Sequence, residues 1–332
     1  MCSSNQSIIE FLHHATIQLN HYLSIIIYLF GTIGNILSII ILSQKKFRSN
    51  SCAFLFLTSS IASLIAILSG LTNRIITGWT VDLTSTINWL CQLRAMVLFT
   101  SRMIALWLIT LATIDRWLLS CADVRRRQMR TLKKAKLYTI IIVIFSILFN
   151  TPIIYCFEAN VIGTPVECYG KTAACRIYTD MIYGCGTILV PSLVMTYFSI
   201  MIIWNVRGTR RRVEIFNITT NHARRQRRTK KKDRQLLIML LVQVTFIVLL
   251  TFPQAIQKLY TTITLALYSS VKSALQTAIE EFTFNFVVNL TYIASGLPFY
   301  IYTLSGGNVF RNACWHFIRM LSRKITCRNN AI

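Results

Sequence analysis

An all-α bundle of seven membrane-spanning helices, followed by a short amphipathic helix, is the fold this sequence predicts. Composition, the lengths of the apolar blocks and a one-sided spread of positive charge predict it. Of 332 residues, 54% are hydrophobic and only 14% are charged, with a mean hydropathy of +0.54. A soluble domain carries about a quarter charged residues. The apolar residues fall in seven blocks, 22–43, 52–72, 88–120, 137–157, 179–205, 235–260 and 282–304. Each matches the ~20 residues a helix needs to cross a bilayer. Backbone polar groups in lipid must be satisfied within the segment, so each block is a helix.

Orientation follows from the cations. Segment 1–21 has no Lys or Arg. With that segment outside, 28 of the 35 Lys and Arg residues face inward, counting Arg116. They cluster at Lys45, Lys46 and Arg48, in 125–136, in 207–234 and after Leu304. Six (Arg74, Arg94, Lys171, Arg176, Lys258 and Lys272) face outward, and Arg102 lies within a span. This is the positive-inside bias. The net charge of +24 is therefore a cytoplasmic-face property, which topology explains better than a nucleic-acid partner does. The expected organisation is an extracellular tail 1–21, a bundle 22–304, a membrane-surface helix 305–322 and a cytoplasmic tail 323–332. No short apolar leader with a cleavage site precedes the first span, which then serves as the insertion signal.

The outer side is oxidising and carries Cys2, Cys91, Cys168 and Cys175. A bridge from Cys91 to Cys168, or alternatively to Cys175, would tie loop 158–178 over the bundle; sequence leaves both pairings open. Cys52, Cys121, Cys156, Cys185, Cys314 and Cys327 read as free thiols, the last two as candidate palmitoylation sites. Asn5-Gln6-Ser7 is a glycosylation sequon in the outer tail. The five histidines are dispersed in tails and an inner loop. No nucleophile constellation, phosphate-cradling loop or metal-ligand spacing accompanies them. The reading is not an enzyme, with no cofactor and no metal.

Several marks then occur in order. Asn35 stands in "GTIGNILS", and "DRW" at Asp115-Arg116-Trp117 closes the third block, 25 residues after Cys91. Pro191 and Pro253 stand in the fifth and sixth blocks, and Asp233 lies 20 residues before Pro253. "PFYIYTLSGGNVFR" ends the seventh. Together these resemble the rhodopsin-like (class A) G-protein-coupled receptors over nearly the whole chain. "KKKDRQLLIMLL" with "GLPFYIYTLSGG" further resembles a divergent invertebrate branch near the FMRFamide-type neuropeptide receptors. The resemblance implies a plasma-membrane receptor, N-terminus outside, that binds an extracellular ligand and activates a heterotrimeric G protein by outward movement of helix six. Departures are Ser63 and Thr251, where the family carries a sodium-site Asp and a switch Trp, and a degraded seventh-helix mark with Tyr302 as its terminal tyrosine. A receptor-like chain that no longer signals, or a transporter or channel, is the alternative.

The residues suggest how such a switch works. Asp115 and Arg116 end a span, where a charge can reach the aqueous interface. Asp115 can hold the guanidinium locally, and Asp233 can hold it across the bundle in a directional, breakable pair. A plain interfacial pair is the simpler reading. Pro253 and Pro191 each remove a helix hydrogen bond and so supply pivots. Arg102 lies 14 residues before Arg116, ~21 Å along a helix and thus at mid-membrane depth. It either lines a ligand pocket with Leu98, Asn285 and Thr251, or bonds to waters and to Asn285, Asn289 or Tyr292. Leu98 stands where amine receptors carry their acid, and the outer half of the seventh span has no lysine for retinal. A peptide ligand is what remains, with Asp82, Glu158, Glu167, Asp180, Glu280 and Glu281 available on the outer side.

Overall fold

The computed structural model describes residues 2–45, 47–76, 86–121, 123–161, 167–214, 222–267, 273–305 and 319; the side chains of 2–5, 208–234, 236, 266–267 and 305 are outside that description. The chain opens with α1 (Cys2–Gln18), which runs through a π-helical turn, Leu19–Leu23, into α2 (Ser24–Leu42). Then come α3 (Ser51–Ile76), α4 (Asn88–Ser120), a short α5 (Val124–Gln128), α6 (Leu132–Asn150) and α7 (Pro152–Cys156). Two-residue strands β1 (Phe157–Glu158) and β2 (Tyr169–Gly170) form an antiparallel ribbon. After α8 (Ala173–Met181), a π-helical stretch Ile182–Leu189 leads into α9 (Val190–Glu214). The long α10 (His222–Leu267), α11 (Ala274–Gly296) and α12 (Pro298–Ser305) complete the order.

Among the described residues, six helical segments are long and apolar enough to cross a membrane, and α11 with α12, bent by 49°, makes a seventh. The block 88–120 is α4 itself, whereas other bounds shift. Residues 2–21, expected as an outer tail, are helical and run without a break into the first span. The expected surface helix 305–322 falls almost wholly outside the described residues.

The packing has the polarity of a membrane bundle. On α6, Ile140, Ile141, Ile144, Phe145 and Leu148 are exposed, while its buried face holds Ala135, Thr139, Ser146 and Asn150. A helix that turns its large apolar side chains outward is solvated by lipid, not by water. The largest core cluster joins Ile41, Phe56, Leu108, Ile109, Leu240, Val244 and Tyr302 from five helices. Without a hydrophobic force between spans, close backbone approach matters more. It occurs where α2 meets α11: a Cβ on Gly296 would lie 2.9 Å from the Gly31 Cα. Beside it, Asn35 Nδ2 donates to the Ser295 carbonyl at 3.1 Å and to that of Gly31 at 2.8 Å.

Candidate functional site

The bundle has two distinct ends. One carries, among the described residues, two disulfides, Cys91–Cys168 and Cys156–Cys175, with Cα separations of 5.7 and 5.2 Å. The first joins α4 to the ribbon loop and takes Cys168 rather than Cys175 as the partner of Cys91. The second corrects the reading of Cys156 as a free thiol. The end of α7 and the start of α8 bring Cys156 to Cys175, although they are 19 residues apart in sequence. The bridges and Ile153, Phe157 and Ala159 form one buried cluster.

Beneath this cap lies a cavity of about 520 Å³, within the range of small-molecule sites. Its wall includes Leu98 and Arg102 of α4, Phe157, Cys168 and Tyr169 of the capping loop, and Asn285 of α11. Leu98, Arg102 and Asn285, expected in a ligand pocket, line this cavity. Thr251 does not. It lines a separate cavity of about 30 Å³ below Arg102, its hydroxyl donating to the Ile247 carbonyl at 2.8 Å. Asn20 and His21 also line the main cavity, so the end of segment 1–21 contributes to the wall.

Arg102 forms the floor and is 7% exposed. Its Nη1 donates to the Tyr183 hydroxyl at 2.7 Å and to Thr291 Oγ1. Tyr183 passes a hydrogen bond on to Gln254 Oε1 at 3.1 Å. The guanidinium carbon lies 4.1 Å from the centroid of the Tyr292 ring, a cation–π distance. Tyr292 fits there because residue 70 is glycine: a methyl group on Gly70 would overlap the tyrosine hydroxyl. Of the partners expected for Arg102, Tyr292 is met through its ring. Asn285 instead accepts from Arg74 Nη1 at 3.0 Å, and Asn289 Oδ1 accepts from Ser24 at 3.4 Å.

A second buried charge was missed. Lys258 Nζ donates to Asp180 Oδ1 at 2.6 Å and to the Tyr169 hydroxyl at 3.3 Å, with side chains only 6% and 4% exposed. Both had been counted as outer-surface charges. Asp180 lies one residue inside the start of its block and Lys258 two residues inside the end of its own, and only the approach of α8 to α10 buries them together. Glu158 and Glu167 are exposed and Glu280 and Glu281 half-buried, while Asp82 lies outside the described residues.

At the opposite end, Asp115 and Arg116 close α4. They are 7% and 0% exposed, buried against the neighbouring helices. Asp115 accepts from Ser51 Oγ at 2.7 Å and from Arg130 Nε at 2.8 Å. Arg116 Nη2 donates to Asn50 Oδ1 at 3.2 Å, and Arg130 Nη2 reaches the same oxygen at 3.0 Å. Sequence reasoning missed Asn50, Ser51 and Arg130. Asn50-Ser51 reads as an ordinary helix start, and Arg130 is one of seven cations in a basic loop. The Asp233 side chain, expected to clasp Arg116, lies outside the described residues. Trp117 leaves the cluster, with its ring 5.0 Å from Phe198 and 5.8 Å from the Arg126 guanidinium. Tyr302 is 1% exposed and donates to Gln243 Oε1 at 2.9 Å, tying α12 to α10.

Both prolines lie within helices. Pro253 is inside α10. Pro191 is the second residue of α9, directly after the π-helical stretch, whose wider turn relieves the ring's clash with the preceding backbone. Asn5 lies in α1.

No curated protein matches the chain. A family model described as the 7 transmembrane receptor (rhodopsin family) matches residues 16–302. Its members are non-enzymatic signalling receptors of many membrane spans. The bundle, the capped cavity and the buried Asp115–Arg116 end agree with that match, and the chain belongs to the rhodopsin family of seven-transmembrane receptors.

Proposed function

We propose that this chain is a plasma-membrane receptor, N-terminus outside, that binds an extracellular neuropeptide and activates a heterotrimeric G protein. The disulfide end faces outward and its cavity receives the ligand. The basic end faces the cytosol. Outward movement of α10 about Pro253 opens a cleft for the G protein, and the π-helical stretch before Pro191 gives α9 slack to follow. In the closed state Asp115 is held by Ser51 and Arg130 and α10 is tied through Gln243 to Tyr302. Arg116, once uncovered, is the group that engages the G protein. The peptide reading is supported by a cavity without an amine-binding acid at Leu98.

The observation that carries the reading is the buried Asp115–Arg116 cluster at the end opposite the cavity. Its test is ligand-independent nucleotide exchange by a panel of G proteins on membranes holding the full chain. Asp115→Ala removes the acceptor of Ser51 and Arg130. It should raise exchange about 5-fold or more, the shift that ~1 kcal/mol makes in a two-state equilibrium. Arg116→Ala should bring exchange to background. If both variants match the parent, the cluster is no switch.

A further inference from the structure

The cavity is lined by four cations, Arg74, Arg94, Arg102 and Lys258, and by two acids, Glu167 and Glu281. Their distribution is uneven. Lys258 is already neutralised by Asp180 at 2.6 Å. Glu167 sits exposed in the capping loop. Glu281 stands ten residues from Thr291 on α11, about 15 Å along the helix, far above the floor. Arg102 at the floor is eight residues below Arg94 on α4, about 12 Å. The hydrogen bonds of Arg102 run to neutral groups, Tyr183 and Thr291.

The guanidinium is also used on one side only. Both hydrogen bonds leave from Nη1. Nε and Nη2 are buried and have no hydrogen-bond partner among the described residues. Those two nitrogens form the edge whose parallel N–H groups grip a carboxylate bidentately. Leaving a charged donor pair dry and unpaired in a membrane bundle is costly. The stack on Tyr292 and the anchored Nη1 fix the plane of the fork in advance. Above it, Arg74 Nη1 is shared between the neutral oxygens of Asn20 and Asn285, each at 3.0 Å.

The geometry points to a ligand that enters carboxylate first, its carboxylate seated on the Nε–Nη2 edge of Arg102, with Arg74 as a second positive group on the way down. The inference rests on the receptor reading of the cavity and names its ligand class: a peptide with a free C-terminal carboxylate. It runs against an amidated peptide, whose leading end is neutral and gives the fork no paired acceptor.

The test uses the full chain in lipid nanodiscs and a library of N-acetyl tripeptides in three forms. These are the free acid, the C-terminal amide, and the amide with Asp or Glu as the last residue. Binding is read by competition and by thermal stabilisation. The expected result is binding by members of the free-acid set, with their amides weaker by about 10- to 100-fold, the loss of one charge-assisted bidentate contact. Arg102→Gln should abolish that preference. Arg102→Lys, which keeps the charge and loses the fork, should retain only part of it, and Arg74→Gln should weaken acids less. If only the Asp or Glu amides bind, an acidic side chain rather than the chain end is the group received, and the C-terminal assignment falls. Amides binding as well as acids, an acid preference that survives Arg102→Gln, or no acidic member binding would overturn the inference. Melting of each variant separates misfolding from lost recognition. Basal nucleotide exchange, read on the same samples, keeps the two claims apart. Exchange without acid binding removes only the ligand class, whereas acid binding with neither basal nor acid-stimulated exchange removes the G-protein coupling and leaves the ligand class standing.

Discussion

Arg102 and Lys258 show how differently two buried cations can be satisfied in one cavity wall. Lys258 has its own carboxylate. Truncating one partner of such a pair leaves an uncompensated buried charge, at about 3–5 kcal/mol, while replacing both with apolar residues is often neutral. Lys258→Met should therefore lower the melting temperature of the purified chain sharply, and Lys258→Met with Asp180→Leu should restore most of it. If the single and double variants melt alike, the pair contributes little to the fold. Arg102 instead depends on shape, since Gly70 makes room for the tyrosine ring it rests on. Gly70→Ala should displace Tyr292 and weaken ligand binding with little change in expression, measurable once a binding probe exists.

At the scale of elements, close contact between α2 and α11 replaces the hydrophobic drive that water gives soluble proteins. Gly296→Val puts bulk against the Gly31 backbone and should lower thermal stability; an unchanged melt would mean the two helices can part at no cost. On α10, Gln243 lies between Pro253 and the basic end, and its bond to Tyr302 restrains the swinging half. Gln243→Leu should raise basal nucleotide exchange, whereas Pro253→Ala should lower it by stiffening the pivot. The spans themselves were legible in sequence because lipid forces an apolar run for each crossing, and α4 matched residue for residue. The π-helical stretches and the long α1 were not legible, because they depend on packing against neighbours rather than on local hydropathy.

For the whole molecule, two disulfides and a two-stranded ribbon close one end while basic segments dress the other. Each native bridge contributes about 2–4 kcal/mol in typical proteins, so Cys156→Ser and Cys175→Ser should both reduce the melting temperature, as should Cys91→Ser. A Cys156→Ser chain as stable as the parent would argue against the second bridge. An epitope placed at the N-terminus should be reached by antibody on intact cells; staining only after permeabilisation would reverse the proposed orientation. The poles of the molecule were readable from cation counts and cysteine placement. The inside of each pole was less so. Asp115 and Arg116 were visible as a charge pair at the end of an apolar run. Their partners Asn50, Ser51 and Arg130 were not, because short polar residues at a helix start and one arginine among many carry no distinguishing signal. Asp180 and Lys258 were hidden for the same reason: each sits at the edge of its block, and only the tertiary approach of α8 and α10 makes them a buried pair.

In the proposed function the basic end of α10 moves away from α4 when the chain couples to a G protein. Spin labels at Ser120 on α4 and at Ile238 on α10, in a chain freed of other reactive thiols, would report that distance directly in nanodiscs. With nucleotide-free G protein bound, the account predicts that the distance distribution shifts outward by several ångströms, and that Asp115→Ala populates the longer distance without the partner. A distribution that stays the same with every G protein tested and in the Asp115→Ala variant would contradict it.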